Sequence, residues 1–167
     1  MPKERILDGI EFSYEGLMEM EKVYKEMYRF WKDKGFDILE TKHEEKVKDD
    51  GSKDIHLEWS CEREVTDYAK YSYSITVDVT NLKKVIIKSE NFQREMEVGK
   101  IKFKLSADLE LDYGKLFKSP TQWLIRALLE KFVFKSEVGA HKDKVKQIGY
   151  DFLKNMQSFL NAFRTPI

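Results

Sequence analysis

Two histidines and two glutamates alternate along a predicted β-hairpin, and their side chains are of the types that bind zinc. The turn is marked by DDGSK, residues 49–53, and the four residues are His43, Glu45, His56 and Glu58. If the turn closes on residues 50 and 51, antiparallel pairing places His43 opposite Glu58 and Glu45 opposite His56, all on the solvent face. Imidazole nitrogens and carboxylate oxygens are ordinary zinc ligands.

The alternative for these four residues is a solvated face of paired charges, and this is what we predict. Their first strand contains TKHEEKVK, which is polar on both faces, so its register is weakly fixed and it belongs at a sheet edge, protected by charge. A metal site there would also be open to water. We therefore expect no metal ion and no other cofactor. The zinc hypothesis predicts stabilisation by zinc that His56→Ala abolishes.

Motifs that mark catalytic sites do not occur in the sequence. There is no GxGxxG, GxxxxGK[ST], GxSxG, HExxH or CxxC. The single cysteine, Cys61, excludes an intrachain disulfide, and it falls on the apolar parity of its strand. That parity predicts a small core residue instead of a reactive thiol. We predict that the protein is not an enzyme.

The stretch KIKFKLSADLELD, residues 100–112, carries an outward face whose charge changes sign about its centre. Its outward side chains are Lys100, Lys102, Lys104, Ser106, Asp108, Glu110 and Asp112. A copy laid antiparallel against it would place each lysine opposite an acid and the serine opposite itself. If this strand ends the sheet, its backbone is free to pair in that way. We predict a homodimer interface here; alternatively, the charges pair with the preceding strand or face water.

The same lysines, with Lys83, Lys84 and Lys88, offer a local basic patch. The whole chain has 30 basic and 30 acidic residues, so it lacks the global attraction on which most non-specific nucleic-acid and anionic-membrane binders rely. Outward aromatic residues for base stacking are few, which argues against sequence-specific recognition of nucleic acid. A shape-level contact with structured RNA, as on a ribosome, is the alternative.

Apolar spacing indicates the elements that hold these side chains. A first strand is predicted from Arg5 to Phe12, then a helix from the cap Ser13 to about Lys34, with Gly35 as its stop. From Phe36 to Tyr113 the period is two, which predicts an antiparallel meander of five or six strands, apolar on one face. A break in parity at residues 96–99 predicts a bulge.

The C-terminal third predicts two helices separated by SEVGAHKD, residues 136–143. A capping box opens the first helix, Ser119–Phe134, and the second runs from about Lys142 to Arg164. The first has only a narrow polar stripe. Either the sheet and the last helix cover its apolar sides, or a spare face docks a partner. On the second interpretation its interface residues include Trp123, Ile125 and Phe132.

The predicted fold is therefore α+β, with one domain over residues 1–167. It comprises an antiparallel five- to six-stranded meander sheet with an N-terminal helix and two C-terminal helices packed on one face. The 41% hydrophobic content, with 11 Phe, 8 Tyr and 3 Trp, supplies one core. Neither a signal peptide nor a run near the ~20 apolar residues of a membrane span is seen. We expect a cytoplasmic protein with no membrane partner.

This order of elements resembles the helix-grip, or START-like, architecture over residues 13–164, although the apolar helix before the last one departs from it and could fill the cup. The resemblance implies a cup for an apolar ligand, contacted here by the inward residues Trp59, Tyr71, Tyr73, Phe103 and Trp123. The stretches FSYEGLMEMEKVYKEMYRFWKDKGFD, TDYAKYSYSI and FLNAFR are also similar to small archaeal proteins of unassigned function. That likeness implies no activity.

These observations favour a non-enzymatic interaction protein that forms a homodimer and binds a larger cytoplasmic assembly, such as a ribosome or another ribonucleoprotein. The alternative is a carrier of an apolar small molecule in a helix-grip cup. A carrier needs a pocket of about 300–1,000 Å³, whereas an interaction protein should be packed throughout.

Overall fold

The structure, a computed structural model, describes residues 3–111, 124 and 134–164. These residues form an α+β fold with a five-stranded antiparallel sheet, as predicted. The elements in chain order are β1 (Lys3–Met18), α1 (Met20–Asp33), β2 (Asp37–Val47), β3 (Lys53–Glu64), β4 (Ala69–Lys88), β5 (Gln93–Leu111), α2 (Phe134–Asn161) and a final 3₁₀ turn (Ala162–Arg164).

The strands lie in the order β1-β5-β4-β3-β2, and every neighbouring pair is antiparallel. The chain runs as a meander from β2 to β5, and β1 is added on the far side of β5. Alternate residues of β3, β4 and β5 are buried, which is why their period of two could be recognised. The predicted edge strand is confirmed, since β2 pairs only with β3 among the described strands.

Strand β1 continues further than predicted, and α1 begins later. Ser13, expected to cap the helix, lies in the strand opposite Lys102, and pairing with β5 continues to Met18. Ladder hydrogen bonds to a distant strand therefore override the local capping preference of a serine. The predicted stop is correct, because Gly35 follows the helix at a φ of +82°, a conformation that glycine adopts without steric cost.

The segment SEVGAHKD was predicted to separate two helices, but it is itself helical and belongs to α2. Glycine and serine lower the helix propensity of this segment. A tertiary contact compensates, since Nδ1 of His141 lies 2.7 Å from the hydroxyl of Tyr71 on β4. The predicted helix Ser119–Phe134 lies outside the described residues, apart from the helical positions Leu124 and Phe134.

Aromatic rings from both helices fill the core on one face of the sheet. Trp31 of α1 is fully buried, with its ring centroid 4.8 Å from that of Tyr73 and 5.2 Å from that of Phe152 on α2. Helix α2 approaches the sheet closely at Gly149, where an added Cβ would lie 2.6 Å from Cδ1 of Leu7. Among the residues that the structure describes, no helix combines the length and apolar character of a membrane span.

Strands β4 and β5 continue beyond the pairing with β3 as a hairpin, which we call the distal arm (residues 83–88 and 93–98), and only its residues 97 and 98 still pair with β1 among the described residues. The bulge predicted near Gly99 lies on the neighbouring strand, at residues 81–82 of β4, where Asn81 has a φ of 56°. Gly99 allows the close contact, since a Cβ there would be 3.1 Å from Cα of Leu82. The side chain of Met96 is buried, so the distal arm is anchored in the core.

Candidate functional site

An open cleft lies between the first turns of α1, the β2–β3 hairpin and the distal arm. Its volume is about 670 Å³. The apolar side chains that line it are Met20 from α1, Ile55 and Leu57 from β3, and Met96 from the distal arm, all of them buried against the core. Tyr24 of α1 also lines the cleft. The cleft therefore offers an apolar floor that is open to solvent.

Charged side chains surround this floor, and each lysine among them lies near a carboxylate. Four ion pairs lie around the cleft: Lys22 with Glu19 at 2.6 Å, Lys25 with Glu21 at 3.1 Å, Lys84 with Glu95 at 3.6 Å and Lys53 with Glu45 at 3.8 Å. Paired charges attract a highly charged anion only weakly, because each lysine is already partly neutralised. The cleft suits an amphipathic occupant.

The distal arm is fixed to the start of α1 by two contacts. Oε1 of Glu97 accepts a 2.8 Å hydrogen bond from the backbone N–H of Met20, the first residue of the helix. The guanidinium of Arg94 donates to Oε1 of Glu19 at 2.9 and 3.1 Å. Burial raises the pKa of Glu19, but the hydrogen bonds from Lys22 and Arg94 outweigh it and hold the pKa below its usual value. This wall of the cleft is thus tied to the helix.

On β2, the imidazole of His43 lies between two carboxylates. Its Nδ1 is 3.6 Å from Oε2 of Glu40, and its Nε2 is 3.3 Å from Oε1 of Glu45. Glu40 also accepts hydrogen bonds from the hydroxyl of Tyr24 at 3.1 Å and from the indole N–H of Trp59 at 3.0 Å. These contacts fix the imidazole of His43, which lines the cleft together with Glu45.

The predicted His–Glu constellation does not form. His43 lies opposite Leu57 and Glu45 opposite Ile55, because the hairpin is centred on Asp50, with Val47 opposite Lys53, and not between residues 50 and 51. His43 and Glu45 therefore share the face of the buried residues of β3. His56 and Glu58 occupy the other face, with a ring nitrogen of His56 beside Asp78. Among the described residues, no three histidines, cysteines or acids are grouped as metal ligands.

The charged strand was expected to be an edge if it ended the sheet, and it does not end it. Strand β5 pairs with β4 on one side and with β1 on the other, so its backbone is not free to pair with a second copy. The reason is the length of β1, which covers β5 from Lys3 to Met18. Asp108 forms an ion pair with Arg5 at 2.6 Å, and Lys102 forms one with Glu11 at 3.3 Å.

Of the other residues of that predicted interface, Ser106 contacts β1 and four lie outside the described residues. Ser106 accepts a 2.9 Å hydrogen bond from the backbone N–H of Gly9, which adds to the coverage by β1. Whether the outward side chains of β5 contact a partner stays a prediction. The residues predicted at its end and on the apolar helix lie outside the described residues: Asp112, Trp123, Ile125 and Phe132. In the predicted basic patch, Lys83 lies 3.3 Å from Asp50.

The inward aromatic residues predicted to touch a ligand are core residues in this structure. Trp59, Tyr71, Tyr73 and Phe103 are at most 3% exposed, and none of them lines the cleft. Trp123 lies outside the described residues. Cys61 is also buried, as predicted, and burial raises the pKa of its thiol to about 12.

The sequence analysis did not predict the cleft, although Met96 and Glu19, two of the residues that line it, depart from the regular pattern of their elements. Met96 breaks the parity of β5, and Glu19 occupies the N-cap position of α1 without a side-chain cap, which leaves the first N–H groups to another partner. Both departures are explained by the distal arm lying against α1. No protein-family model matches the chain, and no curated protein does so either.

Proposed function

We propose that the protein is a non-enzymatic interaction protein that forms a homodimer and binds a larger cytoplasmic assembly through polypeptide contacts. One observation carries the proposal: β2 is an eleven-residue edge strand on which every residue except Ile38 is exposed. Leu39 is 63% exposed and Val47 is 72% exposed, near opposite ends of this strand. Apolar side chains beside unpaired backbone groups favour pairing with another chain.

The other edge of the sheet is less suited to pairing. Strand β1 has register shifts between Arg5 and Leu7 and between Leu7 and Ile10, and such bulges disturb the regular row of donors and acceptors that a partner strand needs. The backbone oxygen of Glu15 on β1 also accepts a hydrogen bond from Arg164 at 3.2 Å. Strand β2 has one register shift and is regular from Lys42 to Val47.

Native mass spectrometry at low micromolar concentration tests this proposal. We expect a dimer without added mass. The double variant Leu39→Lys/Val47→Lys should be monomeric, because it removes both exposed apolar residues of the edge and adds positive charge to a strand that already carries Lys42 and Lys46. The matched control is Ile86→Lys/Tyr150→Lys, which adds the same charge at two apolar residues that are exposed elsewhere and should remain dimeric. A monomeric wild-type protein would contradict the dimer.

The alternative function is that of a carrier for an apolar or amphipathic small molecule. The observation in its favour is the cleft, whose volume of about 670 Å³ falls within the usual range for ligand sites. The carrier proposal also includes the helix-grip resemblance. It includes the predicted helix Ser119–Phe134 as a second C-terminal helix on the same face of the sheet. A monomer that carries a few hundred extra daltons in the same spectrum would favour the carrier.

A further inference from the structure

No described strand pairs with the outer edge of β2, and this edge carries side chains that complement a second copy of the same strand. From this we propose that two chains pair through β2, antiparallel, about a two-fold axis that passes through His43. The two five-stranded sheets would then form one continuous ten-stranded sheet. The inference rests on the proposed homodimer and adds the surface and the register by which it forms.

The face that each residue of β2 occupies follows from its pairing with β3. Ile38, Glu40, His43, Glu45 and Val47 lie on the inner face, opposite Cys61, Trp59, Leu57, Ile55 and Lys53. Leu39, Lys42, Glu44 and Lys46 lie on the outer face, opposite Ser60, Glu58, His56 and Asp54. Directly paired residues of an antiparallel sheet share a face, and this limits the registers that two copies can adopt.

A two-fold axis at His43 satisfies this condition if Thr41 stays bulged, as it is against β3. On the outer face, Lys42 of each copy then lies opposite Glu44 of the other. On the inner face, the half-buried Ile38 lies opposite the exposed Val47. Two ion pairs and two apolar pairs form across the axis. Cross-strand pairs of both kinds stabilise sheets.

Neighbouring registers are less favourable. An axis at Glu44 would place Lys42 opposite Lys46 and Glu44 opposite itself. An axis at Lys42 would place that lysine opposite its own copy. Like charges directly opposite one another destabilise a strand pair, so charge selects the axis at His43 among these three registers.

The chosen register also has two unfavourable pairs, since Glu40 of each copy lies opposite Glu45 of the other. Each carboxylate is already bound within its own chain. The hydroxyl of Tyr24 and the indole of Trp59 donate to Glu40, and Nζ of Lys53 lies 3.8 Å from Glu45. The two His43 rings lie between these four carboxylates. The repulsion is therefore partly compensated on the inner face.

Disulfide trapping tests the register directly. In the proposed dimer, His43→Cys places two cysteines opposite each other on the axis, within the Cα separation of about 4.4–6.8 Å that a disulfide needs. Glu45→Cys is the matched control, because the side chains of His43 and Glu45 share a face and are 43% and 45% exposed. Its two copies would be four pairs apart, about 13 Å along the strands. The natural Cys61 is fully buried.

We expect His43→Cys to form a covalent dimer under mild oxidation and Glu45→Cys to remain uncrosslinked. If the wild-type protein is a dimer by native mass spectrometry but His43→Cys does not crosslink, or Glu45→Cys crosslinks equally, this register is wrong and the homodimer itself survives. A wild-type monomer would overturn both.

Charge exchange gives a second test without a covalent bond. Lys42→Glu alone and Glu44→Lys alone each place like charges across the axis, so each homodimer should be weakened several-fold. A mixture of the two variants restores opposite charges at both pairs and should form a heterodimer in preference to either homodimer. A heterodimer that makes up no more than half of all dimers, the share that random mixing gives, would contradict the register.

Discussion

The hydroxyl of Tyr73 donates a 2.8 Å hydrogen bond to the backbone oxygen of Val145, and both residues are fully buried. This bond joins the centre of β4 to the middle of α2, and neither residue lines the open cleft. Burial raises the pKa of Tyr73, so the hydroxyl stays protonated and remains a donor. The helix is thereby held to the sheet by a polar contact inside an aromatic core.

Removal of this hydroxyl should destabilise the protein. Tyr73→Phe keeps the ring and loses the donor, and we expect the free energy of unfolding to fall by about 0.5–1.5 kcal/mol, the usual net value of one hydrogen bond. Urea denaturation measures the change. Tyr150→Phe, on an exposed side chain of the same helix, is the control and should change little. Equal effects of the two variants would contradict the role of the bond.

Two glycines of α2 should respond in opposite directions to substitution by alanine. A Cβ at Gly149 would lie 2.6 Å from Leu7 and 3.1 Å from Leu105, whereas a Cβ at Gly139 would have no atom within 4 Å. Gly149→Ala should therefore cost about 1–3 kcal/mol through overpacking. Gly139→Ala should add about 0.5–1 kcal/mol, because alanine has the higher helix propensity.

Thermal and urea unfolding of both variants check this pair. The comparison is internally controlled, since the substitution, the helix and the added methyl group are the same. If Gly149→Ala proves neutral, the close approach of α2 to β1 and β5 is wrong.

The histidines His56 and His141 should give the stability opposite dependences on pH. The hydrogen bond with Asp78 raises the pKa of His56, so its stabilising contribution is complete below about pH 6.5 and is lost as the pH rises through the folded-state value. Burial lowers the pKa of His141. Protonation of His141 in the unfolded state therefore destabilises the fold as the pH falls below about 6.5.

Single variants separate the two contributions. His56→Gln should lose more stability, relative to the wild type, at about pH 5.5 than at about pH 8.5. The wild type should lose stability at acid pH through protonation of His141 in the unfolded state, and His141→Gln should lack this pH-dependent loss. Any loss of stability that the substitution causes equally at every pH is subtracted before the comparison. Urea midpoints measured across this range test both signs. A difference between wild type and His56→Gln that does not change with pH would contradict the coupling to Asp78.

The alternation of apolar residues was sufficient to predict the sheet, the burial of Cys61 and the edge position of β2. These features depend on side-chain period and charge, which are local. The helix start at Ser13 was wrong because pairing with β5, about ninety residues away, decides where β1 ends. The break at residues 136–143 was wrong because His141 contacts Tyr71.

The candidate site was harder to predict, since each of its parts depends on a register shift. The centring of the β2–β3 turn on Asp50 puts His43 and Glu45 on the inner face, and a bulge at Asn81 allows the distal arm to reach α1. Neither feature has a strong signal in the residues concerned. A parity argument carries every later residue to the wrong face once a bulge is missed.

The contact between Glu97 and the N–H of Met20 should stabilise both α1 and the wall of the cleft. Glu97→Ala removes the acceptor and leaves a helix N-terminus without its cap, which typically costs about 1 kcal/mol. Glu97→Gln keeps an acceptor but removes the negative charge near the positive end of the helix dipole, so we expect a smaller loss, about 0.3–1 kcal/mol.

Urea denaturation and amide exchange at Met20 measure the two effects separately. The control is Glu95→Ala on the same strand, whose exposed side chain pairs only with Lys84 among the described contacts, so its effect should stay within about 0.5 kcal/mol. Protection of the Met20 amide should fall in Glu97→Ala and persist in Glu95→Ala. Faster exchange in Glu97→Ala would show that the carboxylate of Glu97 protects this amide, whereas unchanged protection would contradict the hydrogen bond between Glu97 and Met20.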